Sequence, residues 1–443
     1  MDASELQASI KERIAEEDVR NIRLVFCNAS GVPCAKVWSS SHYDDLVRNG
    51  IDIFKGNYFM CLGISPPPKS RFKIDAGDLN LVPDFDTFAV LPYVPSTGRL
   101  YGDLHDKDTG QPWECCARSL LKKMIANLKD EGYVCDTAGE LEFYLTRRDL
   151  ATNKIARLYG GNEAPPFSTL GLDLVAPFLD EAVSNLRSCG LDVTRIVKEG
   201  GPGQYEINLM HSEGVRPVDD IVTLREVIKG TALRHNLNAT FMPKPFSGEL
   251  GSGMHIHQSL RDEKTGKKNL FSSESGMSAL GYQYVGGIMR HGAALCAVAA
   301  PTVNSYKRLR PGWVAVDELK QGVEDRGAAV RIPKLSNGSG RGFARIEYRV
   351  SDAASNPYLL VACLIAAGLD GIKRSIDIKE TGPEPRLPKS LEEALAAFKQ
   401  DQFFSDLLGQ TYFEEYVKLK EYELEIFNQQ VSEFELDKYG YAF

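Results

Sequence analysis

The sequence predicts two domains that mix helices and strands: a small β-rich N-terminal domain over residues 1–110 and a large C-terminal α/β domain over residues 111–443. Three observations predict it. Short strand-like runs broken by turn residues fill the first part of the chain. Near Gln111 the texture changes to amphipathic helical spacing. Beyond that point, four strands carry apolar residues on one face and ionisable groups on the other.

The elements follow in chain order. Leu6, Ile10 and Ile14 recur at helical spacing up to about residue 18. A strand follows at Ile22–Phe26. The proline run SPPPKS at Ser65–Ser70 reads as a rigid turn or exposed loop. DTFAVLPYVP and RLYGDLHD form a strand pair, and CARSLLKKMIANLKDEGY is an amphipathic helix ending at Gly132. Near the C-terminus, a proline-rich connection at Lys379–Ser390 leads into the helical segments LEEALAAFKQ and YFEEYVKLKEYELEIFNQQVSEFEL.

Composition bounds the function. With 443 residues, 43% hydrophobic and 25% charged, the chain has material for a sizeable core and is neither disordered nor fibrous. A net charge of −8 argues against nucleic acid or an anionic membrane as partner. The longest uncharged apolar stretch, Tyr358–Leu369, is too short to cross a bilayer, and the charged N-terminus is no signal peptide. Nine scattered cysteines without CxxC spacing imply reduced thiols in a cytoplasmic protein, with Cys115 and Cys116 as packing residues.

The four polar-faced strands carry the chemistry. In GELEFYL, Glu140 and Glu142 share one face. In GQYEINLM the face holds Gln204, Glu206 and Asn208. GMHIHQSL contributes His255, His257 and Ser259, and ARIEYRV contributes Arg345, Glu347 and Arg349. A single such strand would be an ordinary half-exposed antiparallel strand. Together they lack lysine and collect Glu, His and Arg. Carboxylates and imidazoles suit a divalent metal, and guanidinium groups suit phosphates. Like-charged glutamates on one face repel unless a cation lies between them. The inference is a concave sheet whose polar face holds metal ions and a polyphosphate.

A second cluster is arginine-rich: Arg308 and Arg310 in NSYKRLRPGW, Arg326 and Arg331 in EDRGAAVRIP, and Arg341 in GSGRG. Arg326 and Arg331 flank apolar residues, which predicts buried anion binding rather than a solvated face. No P-loop, complete GxGxxG or HExxH is present. Metals and arginines without a P-loop indicate phosphoryl transfer on another scaffold.

The motifs ATFMPKPFSGELGSGMHIHQSL, NSYKRLRPG, RIEYRVSDAASNPYL and AAGLDGI resemble the glutamine synthetase family, type I. The resemblance covers essentially the whole catalytic domain and reaches LVPDFDTFAVLPY and Gly102-Asp103 before it. It implies an α+β fold: an N-terminal β-grasp domain, then a catalytic domain on a curved antiparallel sheet flanked by helices. It implies active sites between subunits of a hexameric ring, commonly stacked as a dodecamer. By the resemblance, Glu142, Glu199 and Glu206 would bind a first Mg2+ or Mn2+, and Glu140, His255 and Glu347 a second. His257 and Ser259 would lie on the ATP side. Arg331 and Arg345 would bind its phosphates, with Arg326 acting on them as well. Gly251 and Arg308 would hold the amino-acid substrate, Glu142 would border it, and Arg349 would meet the transferred phosphoryl group. The implied chemistry is ATP-dependent phosphorylation of the γ-carboxylate of glutamate, then attack by an amine.

Departures from the family pattern bear on that amine. Val314, in RPGWVAV, stands where ammonia-using members have a Glu, and FKGNY puts Lys55 where they have an Asp. Leu250 replaces the usual Asn before GSGMH, and Asp325-Arg326 replaces an Asn-Arg pair. Losing two carboxylates removes the groups that would hold ammonium, and Lys55 would repel it. Val314, Leu250 and Trp313 make the pocket more apolar. The expectation is therefore a glutamate–amine ligase using a primary amine bulkier than ammonia; Lys55 raises a bolder possibility, a nucleophile that carries its own carboxylate. Two other readings stand beside it: an ammonia-using glutamine synthetase, and a non-catalytic ring-forming scaffold. The region between Ile376 and Leu391 has no tyrosine, so the adenylylation control of some bacterial relatives is expected to be absent.

Overall fold

Helix Ala3–Glu16 opens the chain, its Asp2 side chain accepting from the Glu5 backbone N–H while the Glu5 carboxylate accepts from that of Asp2. Ile10 and Ile14, the residues at helical spacing, are the ones it buries. The computed structural model describes residues 2–61, 65–149, 154–159, 164–266, 268–274, 276–310, 316, 318–334, 344–376 and 386–443. Trp313, Val314 and Arg341, and most of the proline-rich connection, lie outside them.

A five-stranded sheet is drawn from residues before 110. Its order is Pro33–Ser39, Asn21–Cys27, Thr97–Asp106, Asp78–Val90, Ile51–Phe54. Strands Asp78–Val90 and Thr97–Asp106 are the antiparallel pair expected from their sequence. The loop ending at Ser70 is not simply exposed: the Ser70 hydroxyl is buried and donates to Glu415 of a C-terminal helix at 2.5 Å.

The second sheet has ten strands. Its main path runs Glu318–Val323, Ala328–Ile332, Ile346–Tyr348, Met254–Asp262, Tyr133–Arg148, Gln204–Leu209, Val193–Lys198. All neighbours are antiparallel except the outermost pair, Glu318–Val323 with Ala328–Ile332. Leu141, Phe143, Tyr205, Ile207, Met254, Ile256 and Ile346 are fully buried on one face. Gln258, which broke the apolar alternation, belongs to that face and accepts from the buried Tyr284 hydroxyl at 2.9 Å. Burying this one face in register is what fixes the other as polar, because a slip by one residue would reverse both.

Helices close the apolar face. Pro357–Lys373, buried along nearly its whole length, starts on the Asn356 side chain, which accepts from the backbone N–H groups of Tyr358 and Leu359. The amphipathic helix after Gln111 spans Ala117–Asp130, and Gly132 follows it with φ +87°. The long C-terminal helical run is broken: one helix is Gln410–Asn428, and a separate helix, Glu433–Tyr439, begins on a Ser432 cap. All nine cysteines are free thiols, with Cys115 and Cys116 buried. Among the described residues no helix is long and apolar enough to cross a membrane.

Candidate functional site

The polar face of the ten-stranded sheet gathers its residues by register. Glu142 lies directly across from Glu206, and Glu140 from Asn208 on one side and His255 on the other. His257 faces Glu347, which faces Arg331. Cross-strand partners share a face, so residues distant in sequence form one continuous polar strip.

Two groups of possible metal ligands result: Glu140 with His255 and Glu347, and Glu142 with Glu206 and His255. In each, the candidate ligand atoms all lie within 4.8 Å of one another. The first group is the expected second-ion set. The second differs, with His255 in the place expected for Glu199. His255 Nδ1 is 2.9 Å from Glu140 and 3.6 Å from Glu347, and His257 Nε2 is 3.5 Å from Glu140. Hard carboxylate oxygens with one imidazole fit magnesium or manganese.

The electrostatics agree with a cation site. Burial, reinforced by Glu140 and Glu142, pushes Glu206 up to about 10. Burial and the charge of Glu142 push Glu199 up to about 7. Opposing its burial, His255 and His257 hold Glu140 well below the usual carboxylate range. Glu347 is likewise held at about 2 against its burial, by His255 and Arg349. Glu199 thus feels the cluster although it belongs to neither group.

Glutamine and asparagine side chains steer the carboxylates. Asn208 Nδ2 donates to Glu140 at 2.6 Å, and the Gly253 backbone N–H donates to Glu142 at 2.8 Å. Gln204 Nε2 donates to the Gly251 carbonyl at 3.0 Å. Sequence reading placed Gln204 and Asn208 on this face without assigning them this task.

The arginines separate into two kinds. Arg331 donates to Glu347 at 2.6 Å, and Arg349 pairs with the other oxygen of the same carboxylate. Arg345 is exposed, and its Nε lies 3.3 Å from His257 Nδ1. Arg326 is exposed too, contrary to the buried anion site expected of it; among the described residues only its backbone carbonyl is engaged, by Arg349 Nε at 3.0 Å. Its strand does not begin until Ala328, so the turn turns its side chain toward solvent. Ser259 lies on the polar face farther along its strand, across from Asp136.

Arg308 runs behind the glycine loop and donates to the carbonyls of Val350 and Ser351, the latter at 3.0 Å. A Cβ at Gly251 would lie 2.4 Å from Arg308 Cγ and 2.8 Å from the Pro243 carbonyl oxygen, so only glycine lets the arginine stem pass. Among the described residues, Arg308 Nε, Arg331 Nε and Asp352 Oδ2 are buried without a hydrogen-bond partner. Two orphaned guanidinium nitrogens beside a carboxylate cluster suit anionic substrates.

Lys55 falls on the other sheet's side, in the helical turn Lys55–Tyr58, and pairs with Asp106 at 3.1 Å. With Arg71, Phe72, Asp106 and Trp113 it lines a cavity of about 300 Å³ that no residue of the metal face borders.

A family model for the catalytic domain of glutamine synthetase matches residues 114–439. The chain belongs to the glutamine synthetase family. Its sequence is 34% identical to the glutamine synthetase of Pyrococcus woesei, over 98% of this chain and 99% of that one. It is also 34% identical to the glutamine synthetase of Thermotoga maritima, again over 98% and 99%. Among solved structures, GmaS without ligand matches with a TM-score of 0.84 at 28% identity, over 98% of this chain and 99% of that one. A GmaS/ADP complex matches with a TM-score of 0.84 at 27% identity, over 97% and 98%. The fold is therefore that of glutamine synthetase, a mixed helix and strand architecture on a curved sheet. Members of this family are ligases that use ATP and divalent metal ions, and they generally form oligomeric rings.

Proposed function

We propose that this glutamine synthetase family ligase joins glutamate to a primary amine larger than ammonia, forming a γ-glutamylamide with release of ADP and phosphate. The observation that carries the reading is Lys55, a cation held by Asp106 at 3.1 Å; by the family resemblance it takes the position of an aspartate in ammonia-using members. An ammonium ion has no attraction to such a position. The likeness to GmaS, a γ-glutamylmethylamide synthetase, supports the same reading.

In this reading Glu142, Glu199 and Glu206 hold one divalent ion, with His255 close enough to join them, and Glu140, His255 and Glu347 hold another. The ions supply charge neutralisation for the phosphates of ATP. Arg331 and Arg345, with His257 and Ser259, grip the nucleotide end. Arg308 takes the α-carboxylate of glutamate beside Gly251, and Glu142 borders it. A γ-carboxylate oxygen of glutamate attacks the terminal phosphorus, and the bond to ADP breaks with its electron pair leaving on ADP. Arg349 and Arg326 balance the charge of the transferred group. The neutral amine then adds through its nitrogen lone pair to the acyl carbon. The carbon–oxygen bond to phosphate breaks, its pair leaves with phosphate, and the surplus N–H proton ends on that phosphate. Residues 1–110 serve as the β-grasp domain, residues 111–443 as the catalytic domain, and the chain works in the cytoplasm as a hexameric ring or dodecamer.

The test is phosphate release from ATP and magnesium with glutamate, across a panel of amines with ammonium as reference. Stimulation by an organic amine but not by ammonium supports the ligase. The names of the archaeal and bacterial relatives favour a second reading, an ammonia-using glutamine synthetase, which ammonium-dominated turnover would establish.

A further inference from the structure

The exposed large apolar side chains include Phe167, 73% exposed, Leu170, 55%, Leu174, 42%, and Leu250, 37%. Phe167 has φ +63°, a backbone region that a bulky side chain rarely occupies. Its N–H donates to the Lys198 carbonyl at 2.9 Å, which pins its segment alongside Glu199. Pro166 and Leu250 converge on the next residue. A Cβ at Gly200 would lie 2.4 Å from Leu250 Cδ1 and 3.6 Å from Pro166 Cγ. The Leu250 backbone is fixed as well, its carbonyl accepting from the Tyr144 hydroxyl at 2.7 Å. Leu250 therefore stands between Gly251, which abuts Arg308, and the Glu199–Gly200 corner.

We propose that Pro166, Phe167 and Leu250 form an apolar shelf that receives the hydrocarbon arm of the amine, selecting primary alkyl- or arylalkylamines without a second charge. The proposal rests on the ligase reading above and narrows its substrate class. Direction supports it. The arginines of the phosphate end lie on or beside strands Ala328–Ile332 and Ile346–Tyr348, whereas Glu199 follows strand Val193–Lys198 at the opposite edge of the sheet. In the proposed arrangement the amine adds over one face of the acyl carbonyl, and the shelf at the Glu199 edge lies away from the arginines that hold the phosphates. Charge supports it too. The Lys198 ammonium is satisfied by the carbonyls of Glu199, at 2.6 Å, and Gly201, at 2.9 Å. Glu249 is paired with Arg157 at 2.8 Å. Lys198 and Glu249 are thus committed, and neither offers a distant ammonium a partner to offset its lost hydration.

The experiment measures kcat/KM on the full chain for methyl-, ethyl-, propyl- and butylamine and for 1,4-diaminobutane, in the wild type, Leu250→Asn and Phe167→Ala. The shelf predicts a rise of about two- to fourfold per methylene. It places the diamine roughly tenfold or more below butylamine. Both variants flatten the chain-length dependence, and a magnesium titration by calorimetry verifies that each is folded. Phe167→Ala, which truncates an exposed ring, decides the matter if Leu250→Asn does not fold. If organic amines are used but chain length has no effect, if the dependence survives in the variants, or if the diamine is preferred, the shelf is wrong while the ligase stands. If only ammonium is used, the ligase reading falls and the shelf with it.

Discussion

Glu142 and Glu206 stand directly opposite one another on neighbouring antiparallel strands. Two carboxylates at that spacing in a buried strip are unfavourable to folding unless a cation separates them. The sign follows from their protonation. Glu199 and Glu206 are raised from 4.5 to about 7 and about 10 in the folded chain without metal. Above 4.5 the unfolded chain has released these protons while the folded chain keeps them, so metal-free stability falls as pH rises through that window. A divalent ion must displace the same protons, so it binds more tightly at higher pH. The metal-free Tm should drop between about pH 6 and 8, and the Tm gain from saturating magnesium should grow. Thermal melts at both pH values, with and without the ion, check this; a magnesium gain independent of pH would contradict it.

The variant Glu206→Gln separates the two roles of that carboxylate. A glutamine resembles the protonated acid, so metal-free stability should change little near pH 4.5 and exceed that of the wild type increasingly as pH rises above it. Loss of one ion ligand should lower kcat by on the order of 10³-fold, the equivalent of several kcal/mol of transition-state stabilisation. A variant that is both more stable without metal and nearly inactive is the expected result. Retention of near-normal turnover would remove Glu206 from the metal site.

The polar strip was legible in the sequence because strand periodicity alone sorts Glu140, Glu142, Glu206, His255 and Glu347 onto one face. Periodicity does not say which strand lies beside which, and that decides the grouping. His255 sits across from Glu140 and within reach of Glu142 and Glu206, so it belongs to both sets of ligand atoms. Arg326 was misread because apolar neighbours in sequence suggested burial, whereas a turn before Ala328 exposes it. The Lys55–Asp106 pair was invisible for another reason: its partners come from a helical turn and the end of a distant strand. The break between Asn428 and Glu433 passed unseen because both flanking segments share helical spacing, and only the Ser432 cap marks the restart.

The Gly251–Arg308 contact predicts a defined defect. In Gly251→Ala the new methyl would meet Arg308 Cγ at 2.4 Å and the Pro243 carbonyl oxygen at 2.8 Å. The backbone oxygen cannot yield as a flexible side chain can, so the strain falls on the loop and the arginine together. Overpacking of this kind costs about 1–3 kcal/mol of stability. A displaced guanidinium should raise the KM for glutamate by about tenfold or more, while the KM for ATP changes little. Steady-state kinetics on both substrates, with a denaturation curve, distinguish this from general loss of fold; an ATP effect as large as the glutamate effect would contradict it.

Arg118 makes the strongest prediction outside the site. It is 5% exposed and donates to Asp219 at 2.9 and 2.8 Å, to Asp103 at 3.0 Å and to Asp84 at 2.9 Å. Asp84 and Asp103 belong to the five-stranded sheet, whereas Arg118 and Asp219 lie on helices Ala117–Asp130 and Arg216–Arg234, beyond it. One guanidinium therefore ties the two parts of the chain through three carboxylates. Lys122 assists, donating to Asp84 at 2.8 Å and Asp103 at 2.6 Å. Against its burial, Arg118 and Lys122 hold Asp84 below the ordinary value. Replacing Arg118 by methionine keeps most of the volume but leaves the buried carboxylates facing one another, so the loss should be about 3–5 kcal/mol. Part of that loss should be recovered in the double variant Arg118→Met, Asp219→Asn, because removing one stranded charge lowers the repulsion. Urea denaturation at fixed protein concentration measures both. A single variant within about 1 kcal/mol of the wild type would mean that the network, though buried, contributes no more than a surface ion pair does.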